Sequence, residues 1–114
     1  VVFPDVTRRR LAEQLGEEFA SGACHAGSYE SSLVLADDGR SVRDGIRADL
    51  PPVKISLVDV IRDGKANFVE GGGTQAYFGF PADASAEEGR VRFATLSDFV
   101  ADAMREAWPT DAGD

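Results

Sequence analysis

The sequence predicts a layered α/β fold, and three observations carry that prediction. Leu11, Leu15 and Phe19 recur at four-residue spacing, which marks one apolar face of a helix. The run Val53-Lys54-Ile55-Ser56-Leu57-Val58-Asp59-Val60-Ile61 opens with apolar and polar residues in alternation and is rich in β-branched side chains, which suit a pleated strand. Ser85-Ala86-Glu87-Glu88 matches a capping box, and Leu96, Phe99, Val100, Ala103 and Ala107 give the helix behind it an apolar face. Helices surrounding a few apolar strands make a layered arrangement. Because the strands are too few to complete a sheet, the chain is expected to be an incomplete, C-terminal portion of a larger α/β domain. Residues 1–108 read as one domain and 109–114 as a frayed tail.

Taken in order, Val1 to Phe3 is an apolar stub ended by Pro4, the tail of a strand or an entering loop. Asp5 or Thr7 caps the helix that carries Leu11, Leu15 and Phe19, and Ser21-Gly22-Ala23 breaks it. Gly27-Ser28 turns the chain into the apolar segment Leu33-Val34-Leu35-Ala36, which closes at Asp37-Asp38-Gly39. A polar stretch from Asp44 to Leu50 leads to Pro51-Pro52, a stiff connector into the expected strand. Asp63-Gly64 is a turn signal, and 66–69 is a short return strand. Gly71-Gly72-Gly73 reads as a flexible connector, or as the border of a substrate pocket with Tyr77 and Phe78 as apolar walls. The long helix from Ser85 ends at Trp108 and Pro109, where the indole is expected to pack in a core or an interface.

Composition narrows the function classes. With 20 acidic against 12 basic residues the formal charge is -8, so a phosphate backbone meets net repulsion and nucleic acid is disfavoured as a partner. Arg8-Arg9-Arg10 is the one basic cluster; on a helix its members splay over different faces within reach of Glu13, Glu17 and Glu18, which makes a solvated surface. No apolar run approaches the roughly 20 residues that a membrane helix requires. Cys24 is the single cysteine and forms no internal disulfide, which suits a reducing, cytoplasmic setting. It reads as structural in preference to a nucleophile paired with His25, since adjacent residues rarely aim their side chains at each other. The chain opens Val1-Val2-Phe3-Pro4 with neither initiator Met nor signal peptide, and a segment upstream is therefore expected.

The most informative stretch is Cys24-His25-Ala26-Gly27-Ser28-Tyr29-Glu30-Ser31-Ser32-Leu33, which holds the only histidine of the protein five residues before a glutamate. An imidazole carries protons near neutral pH and a carboxylate binds cations, the two elements of hydrolytic metal chemistry. Five residues on a helix turn through about 500°, leaving the two about 140° apart, so one must lie off the helix. His25 is expected at a loop end and Glu30 in the first turns of a helix through Ala36, where the positive helix end keeps the carboxylate ionised. The bland alternatives are a lone hydrogen-bonded imidazole and a helix N-terminal acid. A zinc or manganese site requires three or more ligands, and no second histidine exists to complete one.

The whole string resembles the His-Ala-Gly-x-x-Glu-Thr/Ser-Ser-Leu segment of the creatininase family of metal-dependent amidohydrolases. Gly79-Phe80-Pro81 with Ala84-Ser85-Ala86-Glu87-Glu88-Gly89 is similar to the family's Gly-x-Pro and Ala-Thr/Ser-x-Glu-x-Gly segment before its last helix. The two matches lie in the family's order and, with the chain between them, span most of residues 20–107. Ser28 stands where many members have glutamate, Ser31 where threonine is usual, and the family's Glu-x-His metal motif has no counterpart. The resemblance implies a three-layer α/β/α fold of which this chain is roughly the second half. It further implies hydrolysis of a cyclic amide or other non-peptide C–N bond by metal-activated hydroxide, with His25 as proton shuttle and Glu30 as a metal ligand. The cofactor would be zinc or manganese, or iron, held mostly by ligands outside this chain, and the protein would act on a small-molecule amide as a homo-oligomer. The alternative is a non-catalytic oligomerisation or binding module that keeps the fold without a complete metal site.

Overall fold

The first apolar stripe folds as two short helices instead of one. In the computed structural model, which describes residues 1–110, α1 (Arg9–Ala12) runs into a 3₁₀ turn at Glu13–Leu15 and α2 (Glu17–Ser21) follows. Gly16 separates them at φ 103°, a left-handed value that a glycine adopts without a Cβ clash and that no helix propagates through. The stripe still does its packing. Leu11 and Leu15 form a buried cluster with Phe99, flanked by Val6, Phe19, Tyr29 and Leu96, and each such side chain contributes about 1.5–3 kcal/mol by leaving water. The arginine triplet stays on the surface, Arg9 pairing with Glu13 at 2.7 Å and Arg8 with Asp5 at 3.8 Å.

α3 (Ser28–Asp38) and the 22-residue α6 (Ala86–Ala107) are the main helices, and they pack on each other. Their crossing is close because Gly89 has no side chain; a Cβ there would run into the main-chain oxygen of Ser32 and the Cβ of Ala36. Ser32 is fully buried, and its hydroxyl accepts the Ser85 N–H at 3.0 Å. Ser85 in turn caps α6, its hydroxyl accepting the Glu88 N–H at 3.1 Å. Only half of the expected capping box forms. The Glu88 carboxylate turns away to pair with Arg92, whose Nη1 also donates to the Gln14 carbonyl at 3.1 Å and so ties α6 to the first segment.

The expected three-layer α/β/α fold does not form among the described residues, which are mostly helical (55%) with only 4% strand and no sheet. The run 53–61 explains much of the difference. Alternation lasts only to Leu57; Ser56 then accepts the Asp59 N–H at 3.3 Å and caps α5 (Leu57–Arg62). The return strand expected at 66–69 is a turn closed by Asn67 and Glu70, with the Glu70 carboxylate accepting from Ala66 N–H and Asn67 Nδ2 at 3.1 Å. A short helix, α4 (Asp44–Arg47), fills the polar stretch before Pro51. What remains extended is two isolated antiparallel pairings, His25 with Phe78 and Val53 with Gly79, so that 78–79 lies between the other two segments.

The glycine run is packed, since a Cβ at Gly71 or Gly73 would strike the side chain of Val60 or Phe78. Trp108 ends α6 on the surface, 65% exposed, in place of the expected packed position. Of the expected tail, residues 111–114 lie outside the described residues. The chain is spread out, with a radius of gyration of 16.5 Å, against about 13 Å for a compact domain near this length. Phe93, Val100 and Met104 leave a second apolar stripe of α6 open to solvent. No helix among the described residues is long and apolar enough to cross a membrane.

Candidate functional site

His25 is fixed by main chain and ring together. Its N–H donates to the Phe78 carbonyl at 3.1 Å and its carbonyl accepts the Phe78 N–H at 2.8 Å. The imidazole is half-buried and lies on the Phe68 ring, centroids 4.7 Å apart at 60°, and Phe68 meets Phe78 edge-on at 5.4 Å. Ala26 then takes a left-handed conformation, φ 49°, and Gly27 is extended before α3 begins at Ser28. The expected division therefore holds: the imidazole is on a loop and Glu30 is in the first helical turn.

Glu30 leans back toward that loop. Its Oε2 accepts the Ala26 N–H at 2.7 Å, which places the carboxylate on the amide next to His25 and leaves Oε1 without a protein donor among the described residues. The side chain is exposed and opens on a groove of about 420 Å³ between α3 and α4, lined also by Ala26, Val34, Ile46, Arg47 and Pro81. Arg47 braces the far wall, donating from Nη1 to the carbonyls of Pro81 at 2.7 Å and Ala82 at 2.8 Å. No hydrogen bond or ion pair joins His25 to Glu30 directly among the described residues.

Tyr77 and Phe78 lie in the interior, not on an open wall. They are 4% and 0% exposed, and the Tyr77 hydroxyl donates to the Pro51 carbonyl at 2.5 Å. Cys24 is a half-buried free thiol. Burial pushes its pKa above the ordinary 9.0, and the charges of Glu18 and Glu30 push it the same way, which favours the protonated thiol. Burial likewise raises the Tyr29 hydroxyl, helped by Glu30.

Two residues of the site are missed by the sequence reading. Phe68, assigned to a return strand, is the platform for the imidazole. Glu18, considered only as a counter-charge to the arginines, is 7% exposed, and its carboxylate accepts the N–H groups of Ser28 at 2.7 Å, Tyr29 at 3.0 Å and Phe80 at 2.6 Å. The signal for Glu18 was present: it falls three residues after Leu15, on the apolar side of the stripe, where an acid must find buried partners.

As a metal centre the described residues do not suffice. No group of three His, Cys, Asp or Glu lies close enough to hold an ion, and a divalent cation takes at least that many protein ligands in most catalytic sites. What the donor chemistry does fit is a single carboxylate oxygen, oriented by the hydrogen bond on its sister atom in the way outer-shell donors orient metal ligands. In comparison with known proteins, no family model, curated protein or solved structure matches the chain.

Proposed function

We propose that this chain carries the proton-shuttle and one ligand of a creatininase-type amidohydrolase that cleaves a cyclic amide or other non-peptide C–N bond. The observation that carries the reading is the meeting of the two segments on which the resemblance rests. The Ser32 hydroxyl of the first segment accepts the Ser85 N–H of the second, Gly89 of the second packs against the Ser32 main chain, and the His25 backbone pairs with Phe78, the residue before Gly79.

When bound, the divalent cations of such an enzyme lower the pKa of water and polarise the amide carbonyl. This chain's part is narrower. Glu30 presents Oε1 as a ligand while Ala26 N–H holds Oε2. His25, its ring angle set by Phe68, gives a proton to the departing nitrogen as the C–N bond breaks and the new C–O bond forms. The remaining ligands come from outside this chain. The open stripe of α6 and the extended shape of the molecule favour a covering segment or subunit. That stripe equally suits the rival reading, a non-catalytic oligomerisation module, in which His25 and Glu30 serve only to cap and pack the α3 turn.

A panel of cyclic amides, assayed with the manganese- and zinc-loaded natural protein that contains this sequence, separates the two. Turnover that falls on Glu30→Ala together with metal content supports the hydrolase. Absence of turnover across the panel, with oligomerisation retained, supports the module. The 114-residue chain by itself is expected to bind fewer than two metal equivalents in elemental analysis.

A further inference from the structure

We propose that Glu18 is the positioning residue of the candidate site, a buried carboxylate that sets where His25 and Glu30 stand relative to each other. The inference rests on the assignment of those two residues above. Gly27, the residue before α3, has no side chain to cap the helix, so the first N–H groups of α3 lack a local acceptor. Glu18 supplies it from α2: its Oε2 takes Ser28 N–H and its Oε1 takes Tyr29 N–H. The same Oε2 takes Phe80 N–H, so one carboxylate joins the start of the Glu30 helix to the segment that pairs with His25.

The surroundings are built to admit that carboxylate. A Cβ at Gly27 or at Gly79 would collide with the Glu18 carboxylate itself, and Gly79 holds φ 112° at the point of closest approach. Both glycines belong to the segments on which the family resemblance rests. Glu18 has no cationic partner among the described ion pairs, so its anchoring is entirely by main-chain donors, which point in fixed directions. A helix could be capped more simply by Ser or Asp at its own N-cap. A carboxylate reaching from another helix gains something a local cap does not, the fixed distance between α3 and 78–80.

The test is amide hydrogen exchange and imidazole NMR on the 114-residue chain, comparing wild type with Glu18→Ala and Glu18→Gln. With a single histidine, the ring signals belong to His25 without ambiguity. Glu18→Ala is expected to lower protection of the Ser28, Tyr29 and Phe80 amides by about 100-fold or more, while Leu96 and Phe99 in α6 change by less than about 10-fold. It should also shift the His25 ring signals and remove the ring contacts with Phe68. Glu18→Gln, whose single carbonyl oxygen can still take the Ser28 and Phe80 N–H groups while its NH2 faces the Tyr29 N–H, should keep most of the ring signature and lose protection chiefly at Tyr29. Unchanged His25 signals in Glu18→Ala, or a loss of protection spread evenly through α6, would overturn the positioning role. If the Ala variant fails to fold, unchanged protection of the Tyr29 amide in Glu18→Gln overturns it equally. These readouts do not depend on turnover, so a fully active His25→Ala enzyme would defeat the site assignment and leave them standing.

Discussion

His25 and Phe78 exchange both main-chain hydrogen bonds, at 3.1 and 2.8 Å, and their side chains meet the same ring, Phe68. A loop imidazole is thus joined to the most buried aromatic of the protein. Phe78→Ala removes a fully buried ring and is expected to cost about 3–5 kcal/mol. Chemical denaturation measures it; a loss under 1 kcal/mol would show that the His25 loop does not depend on this packing.

The α3–α6 crossing depends on Gly89. In an exposed helix Gly→Ala gains about 1 kcal/mol. Here the added methyl meets the Ser32 main chain, which cannot swing aside, so Gly89→Ala is expected to destabilise by roughly 1–3 kcal/mol net. An increase in melting temperature would mean that the helices are further apart than described.

Cys24 gives a pH prediction with a definite sign. Its pKa is raised by burial and by the charges of Glu18 and Glu30, so the folded state favours the protonated thiol. That contribution to stability is complete below the unfolded thiol's pKa and is lost as pH rises through the folded value. Alkylation by iodoacetamide should show a midpoint above 9.0, and Glu30→Gln should move it down. A midpoint in the neutral range would make Cys24 a reactive thiol.

Ala26 stands at φ 49° between His25 and Gly27, a conformation that costs an L-residue about 1 kcal/mol. Ala26→Gly is therefore expected to leave stability unchanged or raise it by up to about 1 kcal/mol, whereas Ala26→Val should lower it. Thermal melts of the pair decide this.

Legibility in the sequence followed the range of the forces involved. The Ser85 cap and the helix after it were readable because both are local, as was the division of His25 to a loop and Glu30 to a helix start. The strand at 53–61 was misread because β-branched content outweighed a serine cap four residues in, and a lone bridge at Val53 is all that stayed extended. Gly16 breaks a stripe whose spacing is otherwise continuous, and spacing alone does not report a positive φ. Glu18 and Phe68 escaped for a further reason: each acts on residues far along the chain, Phe80 and His25 respectively, and no window contains both ends of the contact.

The most direct test of the proposed chemistry is leaving-group dependence in the protein carrying His25→Ala, assayed with added manganese or zinc. A residue that protonates the departing nitrogen matters most when that nitrogen leaves poorly. The variant should keep its metal and lose about 100- to 10,000-fold in turnover on a simple cyclic amide. On an activated amide, whose nitrogen departs without protonation, it should stay within about 10-fold of wild type. An equal loss on both substrates, or no loss on either, would contradict the role of His25 as proton donor.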